Sequence, residues 1–321
     1  MLCFSYYLRR ASQHSNRTAL LRGQVFEADA KGSLRQTAVM NATLHFPAQH
    51  GLLPMPVGEL NETTGTNFGM VTDGGVVGLR DGGHMMTLYG NYEKDSACYA
   101  CGNGSSIVAV KTLDGGQNWE WLATVAHGPS AAAPCGYPSE NHCIRLANES
   151  LFCVYRSLGQ DQPLCASVSR AAAGASDGVE WASGFPLRGR HATTQPHLPQ
   201  VPFGVEPKLA RLDGGLLALS CGRPGIWLWI AAEDSLESGW APWDVAQHHN
   251  EAYRGDPPLR FNTSTSYTGR DSTSYTGLVA TSGSDLVLSY DWLDAFSCEG
   301  GHTICVRSSA VFSVQLHVAG V

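Results

Sequence analysis

The stretch Lys111–Trp121, KTLDGGQNWEW, decides the fold. It follows an apolar run, Ser106–Val110, and joins an acidic turn, Asp114-Gly115-Gly116, to a large aromatic residue, Trp119. Glycine readily adopts the positive φ angles of tight turns, and the aspartate carboxylate can accept hydrogen bonds from the free N–H groups of the turn. The pattern therefore predicts two antiparallel strands joined by a tight turn, with Trp119 folded back over that turn.

Similar hairpins recur along the chain at a fixed spacing. An apolar strand, a turn rich in Asp, Gly or Ser, and a second apolar strand occupy 76–89, 142–156, 207–220 and, more loosely, 276–290. Equivalent positions lie 67, 66 and 68 residues apart, at Leu79, Leu146, Leu212 and Ala280. A second hairpin followed by a tryptophan comes after each of the first three copies, at Trp119, Trp181 and Trp243. Each repeat therefore predicts four antiparallel strands.

Four-stranded units repeated along a chain are typical of a β-propeller. We therefore expect an all-β fold, a single propeller domain over 1–321, with a β-sandwich as the alternative. One period before Leu79, the segments Tyr6–Arg9 and Thr18–Leu21 could flank another turn, whereas the pattern over 30–66 is poorly determined. About five units are thus visible, which suits a six-bladed ring with one blade unseen or a ring closed by the termini.

Composition restricts the partners. The net charge of −7 and the pI near 5.9 argue against nucleic acid, which would require a basic face. No apolar run approaches the roughly 20 residues of a membrane span. No phosphate-binding loop or nucleophile elbow is present, and Cys98-x-x-Cys101 lacks the second ligand pair of a zinc site, so we expect neither cofactor nor metal. A monomer is expected.

Cysteines and glycosylation motifs suggest a secreted or lumenal protein. Six Asn-x-Ser/Thr motifs occur, at Asn16, Asn41, Asn61, Asn103, Asn148 and Asn262. Several of the ten cysteines are close in sequence, at Cys98/Cys101, Cys135/Cys143 and Cys298/Cys305, as local disulfides would be. The alternative is chance motifs and buried thiols. The first ten residues lack a signal-peptide core, so either the start is missing or the protein stays inside the cell.

The pattern Thr112-x-Asp114-x-Gly116-x-x-Trp119 resembles the Asp-box, or bacterial neuraminidase repeat, of sialidases. The 67-residue repeat is similar to that of the six-bladed sialidase-like propeller, and the resemblance covers residues 66–321. It implies an exo-acting, retaining glycoside hydrolase for terminal sialic or related acidic sugars of glycans. In such enzymes arginines bind the sugar carboxylate, a neutral tyrosine attacks, a glutamate takes its proton, and an aspartate is the acid/base.

The resemblance assigns these roles to particular residues. Tyr275, in Ser274-Tyr-Thr-Gly-Leu278, matches the nucleophile, and Tyr267 in the duplicated Ser-Thr-Ser-Tyr-Thr-Gly segment is its rival. Glu206 matches the proton acceptor and Arg223 one of the arginines that bind the carboxylate. Asp95 falls where the acid/base loop occurs, with Glu93 as the competitor. Arg254 or Arg260 would supply another substrate-binding arginine.

One departure weakens the resemblance. The family has an arginine in an Arg-Ile-Pro motif on the strand that opens a blade, whereas the corresponding segment, Gly69–Val77, contains no arginine. Loss of one bidentate, charge-assisted contact would weaken recognition of sialic acid by about 2–3 kcal/mol. The alternative function is therefore a non-catalytic propeller that binds glycans or proteins at its central face.

Overall fold

The computed structural model describes most of the chain. The described residues are 2–4, 7–10, 18–29, 34–47, 67–72, 74–90, 105–128, 135–157, 162–170, 177–190, 199–256, 259–261, 271–297 and 304–319. They divide between two compact units. One contains Met1–Arg145, Glu149–Cys153 and Ser167–Gly184, and the other contains Leu146–Asn148, Val154–Ala166 and Phe185–Val321.

The first unit is dominated by a sheet of nine strands. These are β1 (Leu2–Phe4), β2 (Tyr7–Arg10), β3 (Thr18–Ala28), β4 (Leu34–His45), β5 (Asn67–Thr72), β6 (Val77–Gly78), β7 (His84–Gly90), β8 (Ser105–Thr112) and β9 (Asn118–Gly128). Their order is β1-β3-β2-β5-β7-β8-β9-β4, with β6 paired to β7 and β3 also paired to β4. The predicted pairing near residue 12 is confirmed, because Arg9 of β2 lies opposite Leu20 of β3.

The hairpin β3–β4 lies partly in the stretch that the sequence left undetermined. Its second strand pairs in parallel with β9, where Leu44 lies opposite Trp119. Alternating apolar residues of the strands form one core: Ala19, Leu21, Ala42, Leu44, Met86, Leu88, Val108, Val110 and Trp119. Burial of this apolar surface is what holds β3–β4 against the predicted hairpins.

A second sheet has four strands in the order in which they occur along the chain: β10 (Pro138–Arg145), β11 (Leu151–Ser157), β12 (Cys165–Val168) and β13 (Phe185–Pro186). A disulfide joins Cys143 to Cys153, whose Cα atoms are 4.1 Å apart. The sequence proximity of Cys135 and Cys143 suggested a different pair. Cys143 and Cys153 lie on the neighbouring strands β10 and β11. Side chains that face each other across a hairpin are close enough to bond, so Cys153 rather than Cys135 is the partner of Cys143. Cys135 and Cys165 are also disulfide-bonded.

The second unit contains the remaining elements. They are β14 (Val205–Leu212), β15 (Leu216–Gly222), β16 (Ile226–Ala232), β17 (Ala241–Asp244), helix α1 (Val245–Ala252), β18 (Thr276–Ala280), β19 (Asp285–Ser297) and β20 (Ile304–His317). Strands β14-β15-β16-β17 form one antiparallel sheet and β18-β19-β20 another. Helix α1 begins after Asp244, whose carboxylate accepts a hydrogen bond from the Gln247 N–H at 2.8 Å.

These successive sheets are the blades of a β-propeller, and the predicted all-β propeller fold is confirmed. Two of the sheets have the predicted four strands, and the described strands pair antiparallel except for β4 with β9. The repeated hairpins lie where the spacing placed them, including β14–β15 and β18–β19. The number of six blades and the single domain over 1–321 remain predictions.

One detail of the repeat was wrong. The tryptophan that closes the β16–β17 hairpin is Trp240, not Trp243. The Trp240 side chain is fully buried, and its indole N–H donates to the Leu236 carbonyl at 2.8 Å. Trp119 and Trp181 make the same kind of bond, to Gly116 at 2.9 Å and to Gly178 at 2.8 Å. The contact shared by the three hairpins is thus an indole N–H bound to a carbonyl of the turn.

Candidate functional site

Three strand ends of the second unit meet at one place, which we call the strand-end cluster (residues 204–208, 222–225 and 272–276). At the start of β14, Val205 lies opposite Gly222, the last residue of β15. The start of β18 lies beside them, because Ser220 Oγ is 2.6 Å from Thr276 Oγ1. Three of the residues assigned from the sequence, Glu206, Arg223 and Tyr275, therefore lie at neighbouring strand ends.

Glycines allow the backbone segments of the cluster to approach each other closely. A Cβ on Gly204 would lie 1.6 Å from the carbonyl oxygen of Gly222. A Cβ on Gly222 would lie 2.2 Å from the carbonyl oxygen of Gly225 and 2.9 Å from Cβ of Ser274. No side chain fits in these spaces, so glycine is required at positions 204 and 222.

The backbone of the cluster is also unusual at residues other than glycine. Five non-glycine residues in the described part of the chain have positive φ, and three of them lie here: Glu206 at 47°, Arg223 at 67° and Ser274 at 60°. Such conformations cost about 1–3 kcal/mol each and persist where the surrounding structure imposes them, as it often does at functional sites. The concentration of three in one cluster marks it as a candidate functional site.

Arg223 and Tyr275 contact each other. The Arg223 guanidinium carbon lies 5.5 Å from the centre of the Tyr275 ring, within the range of a cation–π interaction. Arg223 Nη2 also donates to the Thr273 carbonyl at 2.5 Å. Both side chains reach solvent, and Tyr275 is 43% exposed. A positively charged group and a phenol are therefore exposed side by side at the strand-end cluster.

Glu206 lies in a bulge of β14, where the register with β15 shifts between Val205 and Lys208. Lys208 Nζ donates to Glu206 Oε1 at 2.5 Å, and the two side chains are only 19% and 14% exposed, respectively. Bulges re-aim side chains next to active sites, and the left-handed φ of Glu206 is part of this bulge. Lys208 was not predicted from the sequence, although its spacing of two from Glu206 would place both on one face of a regular extended strand.

The remaining assigned residues lie elsewhere or cannot be placed. Arg254 and Arg260 line a surface pocket of about 300 Å³ beside α1, together with Asp244, Gln247, Asn250 and Glu251. None of the three strand-end residues lines this pocket, so the role of Arg254 remains a prediction. Asp95, Glu93 and Tyr267 lie outside the described residues.

Behind the cluster, Cys221 is a buried free thiol on β15. Burial raises the pKa of this thiol to about 12, so Cys221 is not a nucleophile at neutral pH. Within the described ranges, no group of three or more His, Cys, Asp or Glu side chains is arranged to hold a metal ion. No helix in that part of the chain is long and apolar enough to cross a membrane.

Comparison with known proteins shows the fold. No protein-family model and no curated protein matches the chain. A crystal structure of a protein of unknown function from Dyadobacter fermentans matches 94% of this chain and 73% of its own, with a TM-score of 0.51 and 13% identity.

Two solved glycosidases are also similar, at TM-scores below 0.5. A Hadza microbial sialidase matches over 96% of this chain and 58% of its own, at 12% identity and a TM-score of 0.44. The catalytic domain of a Coprinopsis cinerea GH62 α-L-arabinofuranosidase matches over 74% of this chain and 63% of its own, at 13% identity and 0.40. At such identities the likeness concerns the fold alone.

Proposed function

We propose that the strand-end cluster is the active site of a sialidase-like glycoside hydrolase. Its substrate would be a glycan or glycoconjugate with a terminal sialic or related acidic sugar. The observation that carries the proposal is the contact between Arg223 and Tyr275, with Glu206 on the adjoining strand. A guanidinium binds a carboxylate in two parallel hydrogen bonds, and the phenol beside it would then lie near the reacting carbon.

The proposed reaction proceeds in two steps with net retention. Tyr275 Oη attacks the anomeric carbon while Glu206 takes the phenolic proton, and Asp95 donates a proton to the leaving oxygen. Water then attacks the anomeric carbon and breaks its bond to Tyr275 Oη, Asp95 takes a proton from that water, and Glu206 returns a proton to the phenolate. Arg223, and in this proposal Arg254, would hold the sugar carboxylate. A neutral phenol suits this task because a carboxylate nucleophile would be repelled by an anionic sugar.

The experiment is incubation of the pure protein with a fluorogenic sialoside. We expect release by the unchanged protein and loss of about 100-fold or more in Tyr275→Phe and in Glu206→Gln. Tyr253→Phe is the matched control, since Tyr253 follows α1 and stacks on His249 at 4.6 Å rather than on Arg223. Release that is equal in Tyr275→Phe and in the control would refute the assignment of Tyr275.

A second function, binding of acidic glycans without hydrolysis, is favoured by one observation. Lys208 already occupies Glu206 Oε1, and this ion pair stabilises the carboxylate as an anion and competes with the phenol for it. Calorimetric titration with a sialoside separates the two functions, because binding that is weakened by Arg223→Gln, without release of product, supports the non-catalytic one.

We further infer that the protein is secreted or lumenal. Among the residues that the structure describes, four cysteines are disulfide-bonded, at Cys135, Cys143, Cys153 and Cys165, and disulfides persist in oxidising compartments. Two of the glycosylation motifs have exposed asparagines, Asn41 and Asn148. Expression in a secreting eukaryotic cell should give a protein whose mobility increases on removal of N-glycans. A smaller change in Asn148→Gln would assign one glycan to that asparagine.

A further inference from the structure

Asp291, on β19, contacts the turn that precedes Tyr275. Ser272 Oγ donates to Asp291 Oδ1 at 2.6 Å. The backbone N–H of Thr273 donates to both carboxylate oxygens, at 3.0 Å each. One half-buried carboxylate thus accepts three hydrogen bonds from two consecutive residues. Hydrogen bonds to an ionised acceptor are shorter and stronger than neutral ones, so this contact fixes the turn firmly.

The same turn holds both members of the Arg223–Tyr275 contact. The Thr273 carbonyl accepts from Arg223, and Thr273 Oγ1 accepts from the Tyr275 N–H at 3.2 Å. Between them, the Ser274 N–H donates to Ser272 Oγ at 2.7 Å. Each bond therefore depends on a residue that Asp291 holds directly.

The turn also needs such a restraint. Ser274 is fully buried with φ at 60°, and its hydroxyl has no hydrogen-bond partner within the described part of the chain. A left-handed serine with an unpaired buried hydroxyl is unfavourable by itself. The hydrogen bonds that the two preceding residues, Ser272 and Thr273, donate to Asp291 compensate for this.

We propose that Asp291 is a positioning residue that holds the turn 272–274 and, through it, places Arg223 and Tyr275 against each other. The catalytic part of this proposal rests on the proposed function; the structural part does not. In Asp291→Asn the side chain keeps one acceptor and gains an N–H group. That group would face the Thr273 N–H or Ser272 Oγ, so at least one of the three bonds is lost. A shift of about 1 Å in a reacting group costs on the order of 100-fold in rate.

The test measures backbone hydrogen exchange over 271–276 in the whole protein by mass spectrometry. We expect exchange at least about tenfold faster in Asp291→Asn, and near the original rate in Asp291→Glu, which keeps both acceptors. Asp285→Asn is the matched control. Asp285 is the first residue of β19, whereas Asp291 lies in the middle of that strand. Asp285 accepts from Ser282 Oγ at 2.6 Å and from His317 at 2.9 Å. It should leave exchange over 271–276 unchanged.

Unchanged exchange over 271–276 in Asp291→Asn would overturn the proposal. If that variant does not fold, Ser272→Ala serves in its place, with the same expected direction. It removes one of the three bonds to Asp291 and also the acceptor of the Ser274 N–H. With the fluorogenic sialoside, Asp291→Asn should lower kcat by about 10- to 100-fold with a smaller change in KM, and Asp291→Glu should restore most of it. If the unchanged protein releases no product while exchange still becomes faster, the hydrolase proposal fails and the positioning of the turn stands.

Discussion

The hairpin β14–β15 has glycines at both of its ends, but for different reasons. At the turn end, Gly214 and Gly215 have φ of 70° and 72°, and a Cβ on either would meet nothing within 4 Å. At the site end, Gly204 has φ of 115° and lies against the carbonyl of Gly222. Gly214 and Gly215 only provide a backbone conformation, whereas the pair Gly204 and Gly222 also provides space for another segment of backbone.

The two ends differ in a second respect. The turn end uses glycine wherever φ is positive, so that it carries little strain. At the site end, Glu206 and Arg223 occupy the left-handed region although each has a Cβ. The side chains at these two positions are thus retained at the cost of backbone strain. This difference indicates that the turn end is built for stability and the site end for placing particular functional groups.

The largest expected effect is that of adding a methyl group at the site end of the β14–β15 hairpin. Gly204→Ala should destabilise the protein by about 3–5 kcal/mol or prevent folding, because the Cβ would overlap the Gly222 carbonyl and the φ angle is unfavourable. The matched control, Gly214→Ala, has only the unfavourable φ and should cost about 1–2 kcal/mol. Urea unfolding measures both. Equal losses would show that the two ends do not differ in packing.

The same distinction explains how far the sequence could predict the fold. Turns such as Asp213-Gly214-Gly215 are recognisable because a local conformation requires them, and the strands on either side are short segments rich in apolar residues. The pairing of β4 with β9, by contrast, joins residues 75 positions apart at Thr43 and Asn118, and no local pattern encodes it. Likewise, no local pattern shows that positions 204 and 222 must be glycine, since that requirement comes from the backbone packed against them.

The candidate site was predicted in the same partial way. Glu206, Arg223 and Tyr275 were assigned from the family resemblance, at strand ends that the repeat predicts, and their roles remain predictions. Lys208 and Asp291 were not assigned, because their roles come from contacts with Glu206 and with the turn 272–274. A charge on a strand looks the same in the sequence whether it faces solvent or holds a neighbouring loop.

The next largest expected loss of stability concerns the turn end of the β16–β17 hairpin. Trp240→Phe removes the indole N–H bonded to Leu236 and leaves a space in a fully buried site, so it should cost about 2 kcal/mol. Trp243→Phe should cost less than about 1 kcal/mol, because that half-buried ring packs beside His248 at 5.0 Å. Thermal unfolding of the two variants compares them. A larger loss of stability in Trp243→Phe would show that Trp243, as the sequence spacing suggested, is the tryptophan that closes this hairpin.

A smaller effect tests whether strain is present at the site end. Arg223→Gly and Arg223→Ala both remove the guanidinium, but only glycine accepts a φ of 67° without cost. The glycine variant should therefore be more stable than the alanine variant by about 1 kcal/mol, as measured by urea unfolding. Both should lose sialoside binding to the same degree. If alanine is equally stable or more stable, Arg223 is not under strain and the comparison of the two ends fails there.

The smallest expected effect is at Asp114, in the turn end of the β8–β9 hairpin. The N–H groups of Asn118 and Gln117 donate to Asp114 Oδ1 at 2.9 and 3.0 Å, and Asn118 Nδ2 donates to Oδ2 at 2.7 Å. These bonds, chiefly that from the Asn118 backbone, together with one from the Thr112 hydroxyl, lower the pKa of Asp114 to about 2. The carboxylate is exposed to solvent, so its contribution to stability is small.

The pH range of this contribution follows from the direction of the shift. A carboxylate whose pKa is lowered in the folded protein stabilises it above the unfolded pKa, about 3.9, and that stability is lost as the pH falls towards 2. The melting temperature of Asp114→Asn should thus be lower than that of the unchanged protein at pH 7 and should approach it below pH 3. Asp285→Asn controls for the loss of another exposed aspartate whose pKa is lowered. A difference that stays constant from pH 7 to pH 2 would mean that the charge of Asp114 does not hold this turn, and that the glycines alone do.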